Sequence, residues 1–199
     1  MKKLLLPLLL LLLTISHTSL VYADFDDGMA AYKKGDYEIA YKEWKPLAEQ
    51  GDAEAQNKLG GMYFQGKGTS HDYEKGIYWY TKAAEQGDVD AQWMLGHVYS
   101  RHMVVPRDNE KAIYWFTKVA EQGNAEAQYL LGLQYHLGEG TSQEYEKAVY
   151  WYTQSAEQGD VAAQNRLGQM YRNGEGVPQD YEQAIYWYTK AAEQGASSA

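Results

Sequence analysis

Apolar positions recur along most of the chain with the period of an α-helix, and the whole pattern returns in blocks. The string Ala-Glu-Gln-Gly ends at Gly51, Gly87, Gly123, Gly159 and Gly195, 36 residues apart each time. Early in each block an Ala is followed four residues later by Leu and eight later by Tyr: Ala55, Leu59, Tyr63; Ala91, Leu95, Tyr99; Ala127, Leu131, Tyr135; Ala163, Leu167, Tyr171. That spacing puts the three on one face of a helix, here termed helix A. Later in the block Tyr73, Gly76, Ile77, Tyr80 and Ala84 form a second helical face, helix B, widened by Trp79 and Ala83.

The punctuation fits the same reading. Asp52, Asp88, Asn124 and Asp160 stand where helix A needs an N-cap, and Gly87 stands where helix B needs a left-handed cap. Gly66-Lys67-Gly68, Gly138-Glu139-Gly140 and Gly174-Glu175-Gly176 supply tight A–B reversals. The third block carries Ser100-Arg101-His102-Met103-Val104-Val105-Pro106 instead, which predicts a kink or a protruding loop. Glycine recurs inside helix A at Gly60, Gly96, Gly132 and Gly168 although it costs about 1 kcal/mol there. Close backbone approach of helix B at Gly76, Ala112, Ala148 and Ala184 is the expected cause. A single hairpin cannot cover so wide an apolar face, so successive hairpins must stack.

These residues resemble the Sel1-like repeat family. The fourth full copy shows the pattern as Ala163, Leu167-Gly168, Tyr171, the loop Gly174 to Pro178, Asp180-Tyr181-Glu182-Gln183-Ala184, Trp187 and Ala191-Ala192-Glu193-Gln194-Gly195. The resemblance implies an all-α, right-handed α-solenoid of stacked helix-turn-helix repeats, with a concave face lined by helix A. It also implies an adaptor or scaffold for protein complexes, in a family some of whose members have been proposed to act on β-lactams. The resulting division is 1–23, a signal peptide; 24–51, a divergent repeat that looks more like a tetratricopeptide repeat; 52–87, 88–123, 124–159 and 160–195, Sel1-like repeats; and 196–199, a tail.

The leader rests on Lys2 and Lys3, the apolar run Leu4 to Leu13, and the small-residue site ending at Ala23. The run is shorter than the roughly 20 residues a membrane span needs, so no span is expected once the leader is removed. A periplasmic or secreted bacterial protein is the expectation. Cleavage removes two lysines and no acid, making the formal charge of −9 more negative still. Such a surface disfavours nucleic acid and anionic membranes. The chain has no cysteine, which excludes disulfides, thiol catalysis and thiolate metal sites.

Positions on helix A that vary between copies are the candidates for recognition. The middle copies place Trp93, Met94, His97, Tyr129, Leu130, Leu133 and Leu137 where the outer copies carry mainly polar residues such as Asn57, Lys58, Asn165, Arg166 and Gln169. An apolar centre with a polar rim predicts a protein- or peptide-binding surface. Packing of some of these side chains on the neighbouring helix A is the competing expectation, above all for Leu130. The Tyr-Trp-Tyr-Thr runs at 78–81, 150–153 and 186–189, with Tyr114-Trp115-Phe116-Thr117, repeat in phase and read as inter-repeat packing rather than a carbohydrate-stacking ladder.

No nucleophile, acid–base or metal motif is present, so no enzyme, cofactor or metal is expected; an envelope hydrolase is the alternative. His97, His102 and Met103 are the nearest approach to a soft-metal set, and solvated histidines explain them more simply. A third expectation is self-assembly through the last repeat, where Tyr181, Ile185 and Tyr188 would lie uncovered and support a homodimer.

Overall fold

The computed structural model describes residues 23–101 and 104–196. The leader expected over 1–23, Ala23 apart, lies outside the described residues, as do His102 and Met103. The described residues form helices without strands, paired as five hairpins. These are α1 (Phe25–Lys34) with α2 (Tyr37–Glu49), α3 (Ala53–Gln65) with α4 (Tyr73–Glu85), and α5 (Val89–Ser100) with α6 (Asn109–Glu121). Then follow α7 (Ala125–Leu137) with α8 (Tyr145–Glu157), and α9 (Val161–Asn173) with α10 (Tyr181–Ala196). Each helix packs on the one before it and the one after it, which is the contact order of an α-solenoid.

Caps set the helix starts. The side chains of Asp52, Asp88 and Asp160 each accept from the backbone N–H three residues on at 2.7 Å, and Asn124 does so at 2.8 Å. Asp72 and Asp108 cap α4 and α6 in the same way, at 3.0 Å. Glu144, at the start of α8, makes no such bond, because its carboxylate sits one methylene too far out. It pairs instead with Lys147. Gly51, Gly87, Gly123 and Gly159 take the left-handed φ that ends each B helix. Gly195 does not, and α10 runs through it to Ala196.

A chain of buried glutamines ties the hairpins together. Gln56, Gln92, Gln128 and Gln164 follow the conserved-phase Ala of each A helix and are buried. Each donates to a carbonyl near the end of the preceding B helix: Ala48, Ala84, Ala120 and Ala156, at 3.0–3.1 Å. Each also accepts from the Gln that closes its own B helix: Gln86, Gln122, Gln158 and Gln194, at 2.7–3.0 Å. The recurring Ala-Glu-Gln-Gly string therefore supplies both a carbonyl for the next repeat and an amide for its own.

The helix A glycines face rings rather than backbone, which corrects the sequence expectation. A Cβ on Gly60, Gly96, Gly132 or Gly168 would lie 2.5–2.9 Å from the ring of Tyr80, Phe116, Tyr152 or Tyr188. Each glycine is the notch that lets one helix B aromatic lie flat on its own helix A. Gly76 is a separate case. It makes room for Phe64, where the other copies pair Ala112, Ala148 and Ala184 with Ser100, His136 and Arg172. A Cβ on Gly76 would also lie 3.2 Å from the Gly60 carbonyl oxygen, which is the backbone approach expected from sequence.

The second loop glycine makes the joint to the preceding repeat. Gly68 lies against the backbone of Tyr37, Gly140 against Asn109 and Gly176 against Tyr145. The third repeat has no such glycine, so Tyr73, expected to be buried, is 39% exposed. The Tyr-Trp-Tyr-Thr expectation also needs correcting. The Trp and the third aromatic pack inward, but Tyr78, Tyr114, Tyr150 and Tyr186 are exposed and stand edge-on to the adjacent Trp at 4.8–5.0 Å.

Two substitutions test these assignments. Gly96→Ala gains helix propensity of about 1 kcal/mol but drives a methyl into Phe116, and is expected to destabilise by a net 1–3 kcal/mol or so in urea melts. Glu144→Asp restores the missing cap and is expected to stabilise by roughly 0.5–1 kcal/mol in the same assay.

Candidate protein-binding face

The unrepeated helix A positions fall into two lines. The first points toward the following repeat. There Asn57 donates to Asp88 Oδ1 at 3.0 Å. Its counterpart Trp93 packs on the cluster of Val119, Ala120, Ala127 and Leu131, with its ring edge-on to His97 at 4.4 Å. Tyr129 packs on the next cluster, which includes Ala163 and Leu167, and lies 5.8 Å from Tyr152. Trp93 and Tyr129 are thus half-buried at the margin of the stack, each spanning two repeats.

The second line borders hollows between successive A helices. Lys58, Gly61 and Gln65 face Met29 and Tyr32 of α1 across a hollow of about 230 Å³. One repeat on, Met94, His97, Val98 and Arg101 face Phe64 and Tyr73 across a hollow of about 270 Å³, closed on one side by Val104. Tyr73, which is 39% exposed, borders this second hollow. Leu130 and Leu133 are half-buried, and Leu133 packs on the cluster with Ala163 and Leu167. Leu137 is 52% exposed.

The structure therefore brings Met94 and His97 to one hollow. Trp93, Tyr129 and Leu133 pack instead in the joints to the following repeats, away from that hollow, and Leu137 stands on the open surface. Phe64, Tyr73, Val98, Arg101 and Val104 were not among the residues assigned to recognition from sequence. Phe64 and Val98 vary between copies but lie beside the Ala–Leu–Tyr face, Arg101 fills the varying slot of Gln65, and Tyr73 was placed on the helix B face.

Charge is distributed unevenly on this face. Burial holds the His97 imidazole below its ordinary pKa, and Arg101 adds to the effect while Glu126 opposes it. The ring is thus neutral at pH 7 and presents an apolar, weakly polar wall. None of the seven ion pairs among the described residues includes Lys58, Arg101 or Arg166. On a chain of formal charge −9, three cations without a carboxylate partner thus lie in the varying helix A positions. Among the described residues, no three His, Cys, Asp or Glu side chains are grouped so as to hold a metal ion. No described helix is long and apolar enough to cross a membrane.

Comparison with known proteins accords with this architecture. The Sel1 repeat profile matches residues 53–88, 89–124, 125–160 and 161–195. No curated protein sequence matches the chain. A crystal structure of a Sel1 repeat protein from Oxalobacter formigenes is 35% identical, covering 86% of this chain and 71% of that one, with a TM-score of 0.77. A protective antigen present in uropathogenic Escherichia coli strains, with an SLR fold, is 42% identical over 77% of this chain, with a TM-score of 0.68. The chain spans only 33% of that antigen's length. Sel1 repeat proteins are generally non-catalytic scaffolds that mediate protein–protein interaction. With four profile matches covering most of its length, the chain belongs to the Sel1 repeat family.

Proposed function

We propose that the chain is an exported scaffold that captures a protein segment along its A helices. The segment it suits has an apolar anchor for the hollow between α3 and α5 and acidic residues on either side. The observation that carries this reading is the hollow itself. Phe64, Tyr73, Met94 and Val98 make it apolar, His97 is neutral, and Arg101 stands at its edge. A space of about 270 Å³ suits one large side chain. Buried anchors of this kind dominate the energy of protein interfaces. Lys58 and Arg166, one and two repeats away from Met94, extend the same charge preference along the row, and opposite charge chiefly speeds and orients encounter.

Export is supported by how the fold begins. Asp24, the first residue after the expected cut, caps α1 by accepting from Asp26 N–H at 2.8 Å. Its own N–H donates to Glu43 Oε2 at 3.1 Å. Cleavage before Asp24 would leave the cap intact and turn that N–H into an ammonium, making the bond to Glu43 charge-assisted. A periplasmic or secreted scaffold accords with both features.

Affinity capture from native cell envelope tests the proposal. Arg101→Glu reverses the flanking charge at an exposed position and is expected to lose at least tenfold in partner recovery with an unchanged urea midpoint. Met94 is half-buried beside Leu95 and Trp115, so Met94→Asp, which blocks the anchor, is expected to lose as much while also lowering the midpoint. Recovery equal to that of the unaltered chain by both variants would remove this face from the account.

A further inference from the structure

The apolar hollow beside Met94 has a polar counterpart two repeats on. Repeat register carries Phe64, Tyr73, Met94, His97 and Arg101 onto His136, Tyr145, Arg166, Gln169 and Asn173, between α7 and α9. His136 stands against two rings of α8, with centroids 5.5 Å from that of Tyr145 and 6.2 Å from that of Tyr152. Gly176 lies against the backbone of Tyr145, which brings its loop neighbour Glu175 to the same place. Arg166 and Gln169, both half-buried, hold the edge, and Arg166 donates to Gln169 Oε1 at 3.4 Å. Asn173 donates to Glu175 Oε1 at 3.0 Å.

Three polar atoms are left over in this cleft. His136 Nδ1, the Tyr152 hydroxyl and Glu175 Oε2 are buried and have no hydrogen-bond partner among the described residues. Leaving such atoms unpaired costs stability, and three together require a cause. Glu139, the counterpart of Glu175 one repeat earlier, is paired with Arg107, whereas no ion pair among the described residues includes Glu175 or Arg166. Burial holds the His136 imidazole below its ordinary pKa, with Glu175 opposing and Arg166 adding to the effect, so the ring is neutral at pH 7. Burial pushes the Tyr152 hydroxyl up, so it keeps its proton.

We infer that this cleft is a binding site for a primary amide, the side chain of an Asn or Gln on the captured segment. The Tyr152 hydroxyl and the Arg166 guanidinium can donate. Glu175 Oε2 can accept, as can His136 Nδ1 in the Nε2–H tautomer. A primary amide carries both complements on one rigid plane: its carbonyl takes the donors and its NH2 gives to the acceptors. The opposed charges of Arg166 and Glu175 favour a neutral group. A carboxylate entering the cleft would meet Glu175, and an ammonium would meet Arg166. An acid drawn to Arg166 from the open side therefore stays outside. That the amide belongs to a protein segment rests on the scaffold function proposed above; the preference of the cleft for amide over acid does not.

The test uses the purified chain and three probes of similar size, propionamide, propionate and propylammonium, followed by NMR at the His136 imidazole. Partner recovery from envelope plays no part in it, so its failure is separate from a failure of the scaffold proposal. Propionamide is expected to shift the His136 signals saturably and to leave those of His97 in place. Propionate and propylammonium are expected to bind at least tenfold more weakly. Tyr152→Phe keeps the ring over Gly132 and removes the hydroxyl. It is expected to weaken propionamide binding at least fivefold while the urea midpoint holds or rises. Glu175→Gln removes the charge that keeps acids out and is expected to strengthen propionate binding. The inference is overturned by no saturable shift at His136, by propionate binding as tightly as propionamide, or by a midpoint that Tyr152→Phe lowers.

Discussion

The stack depends on how the carbonyls at the end of each B helix are satisfied. A helix leaves its last carbonyls without intrahelical partners, and a solenoid buries those ends between repeats. Here one of them accepts both from the N–H of the capping Gly and from the buried Gln of the following A helix. That Gln amide thus finds its partner on the preceding repeat, and the closing Gln of its own repeat completes its bonding. A buried polar group left unsatisfied costs about 1–3 kcal/mol, so the pair fixes the register of each hairpin on the last. The flat ring in the glycine notch then fixes the angle within each hairpin. The apolar area buried by Ala and Leu supplies the bulk of the driving force but is not directional. The glutamine relay and the notch are directional, and they turn a run of amphipathic helices into one stack.

Much of this was legible in the sequence because it repeats. Helix A and helix B, their caps and their order all follow from residues that recur in phase. The cause of the helix A glycines was misread because two small positions recur together. Periodicity pairs Gly60 with Gly76, whose backbones do come close, but only the fold brings the Tyr80 ring over Gly60. Tyr73 was misplaced for a related reason. Its cover is contributed by the loop of the next repeat, so its burial depends on a residue type some thirty positions away. The outward Tyr of each Tyr-Trp-Tyr-Thr run was misjudged because repetition signals a constant environment, and that environment is solvent.

The face assigned to recognition was harder to read, and the reason is physical. Varying positions in a repeat protein serve both the partner and the joint between repeats. Trp93 and Tyr129 stand out in sequence for their size, yet they bridge two repeats and lie half-buried. Arg101 and Phe64 are plainer in sequence and line the hollow. The hollow beside the third loop is set apart by its lining, which is mostly apolar on an acidic molecule.

The central claim is that the A helices meet the partner while the exposed tyrosines of the B helices do not. A photocrosslinking amino acid placed at Leu137, and in a separate preparation at Tyr150, tests it directly, since both positions are exposed and neither holds the core together. The expected result in native envelope is a discrete adduct from position 137 and none from position 150. An adduct from position 150 alone would contradict the claim.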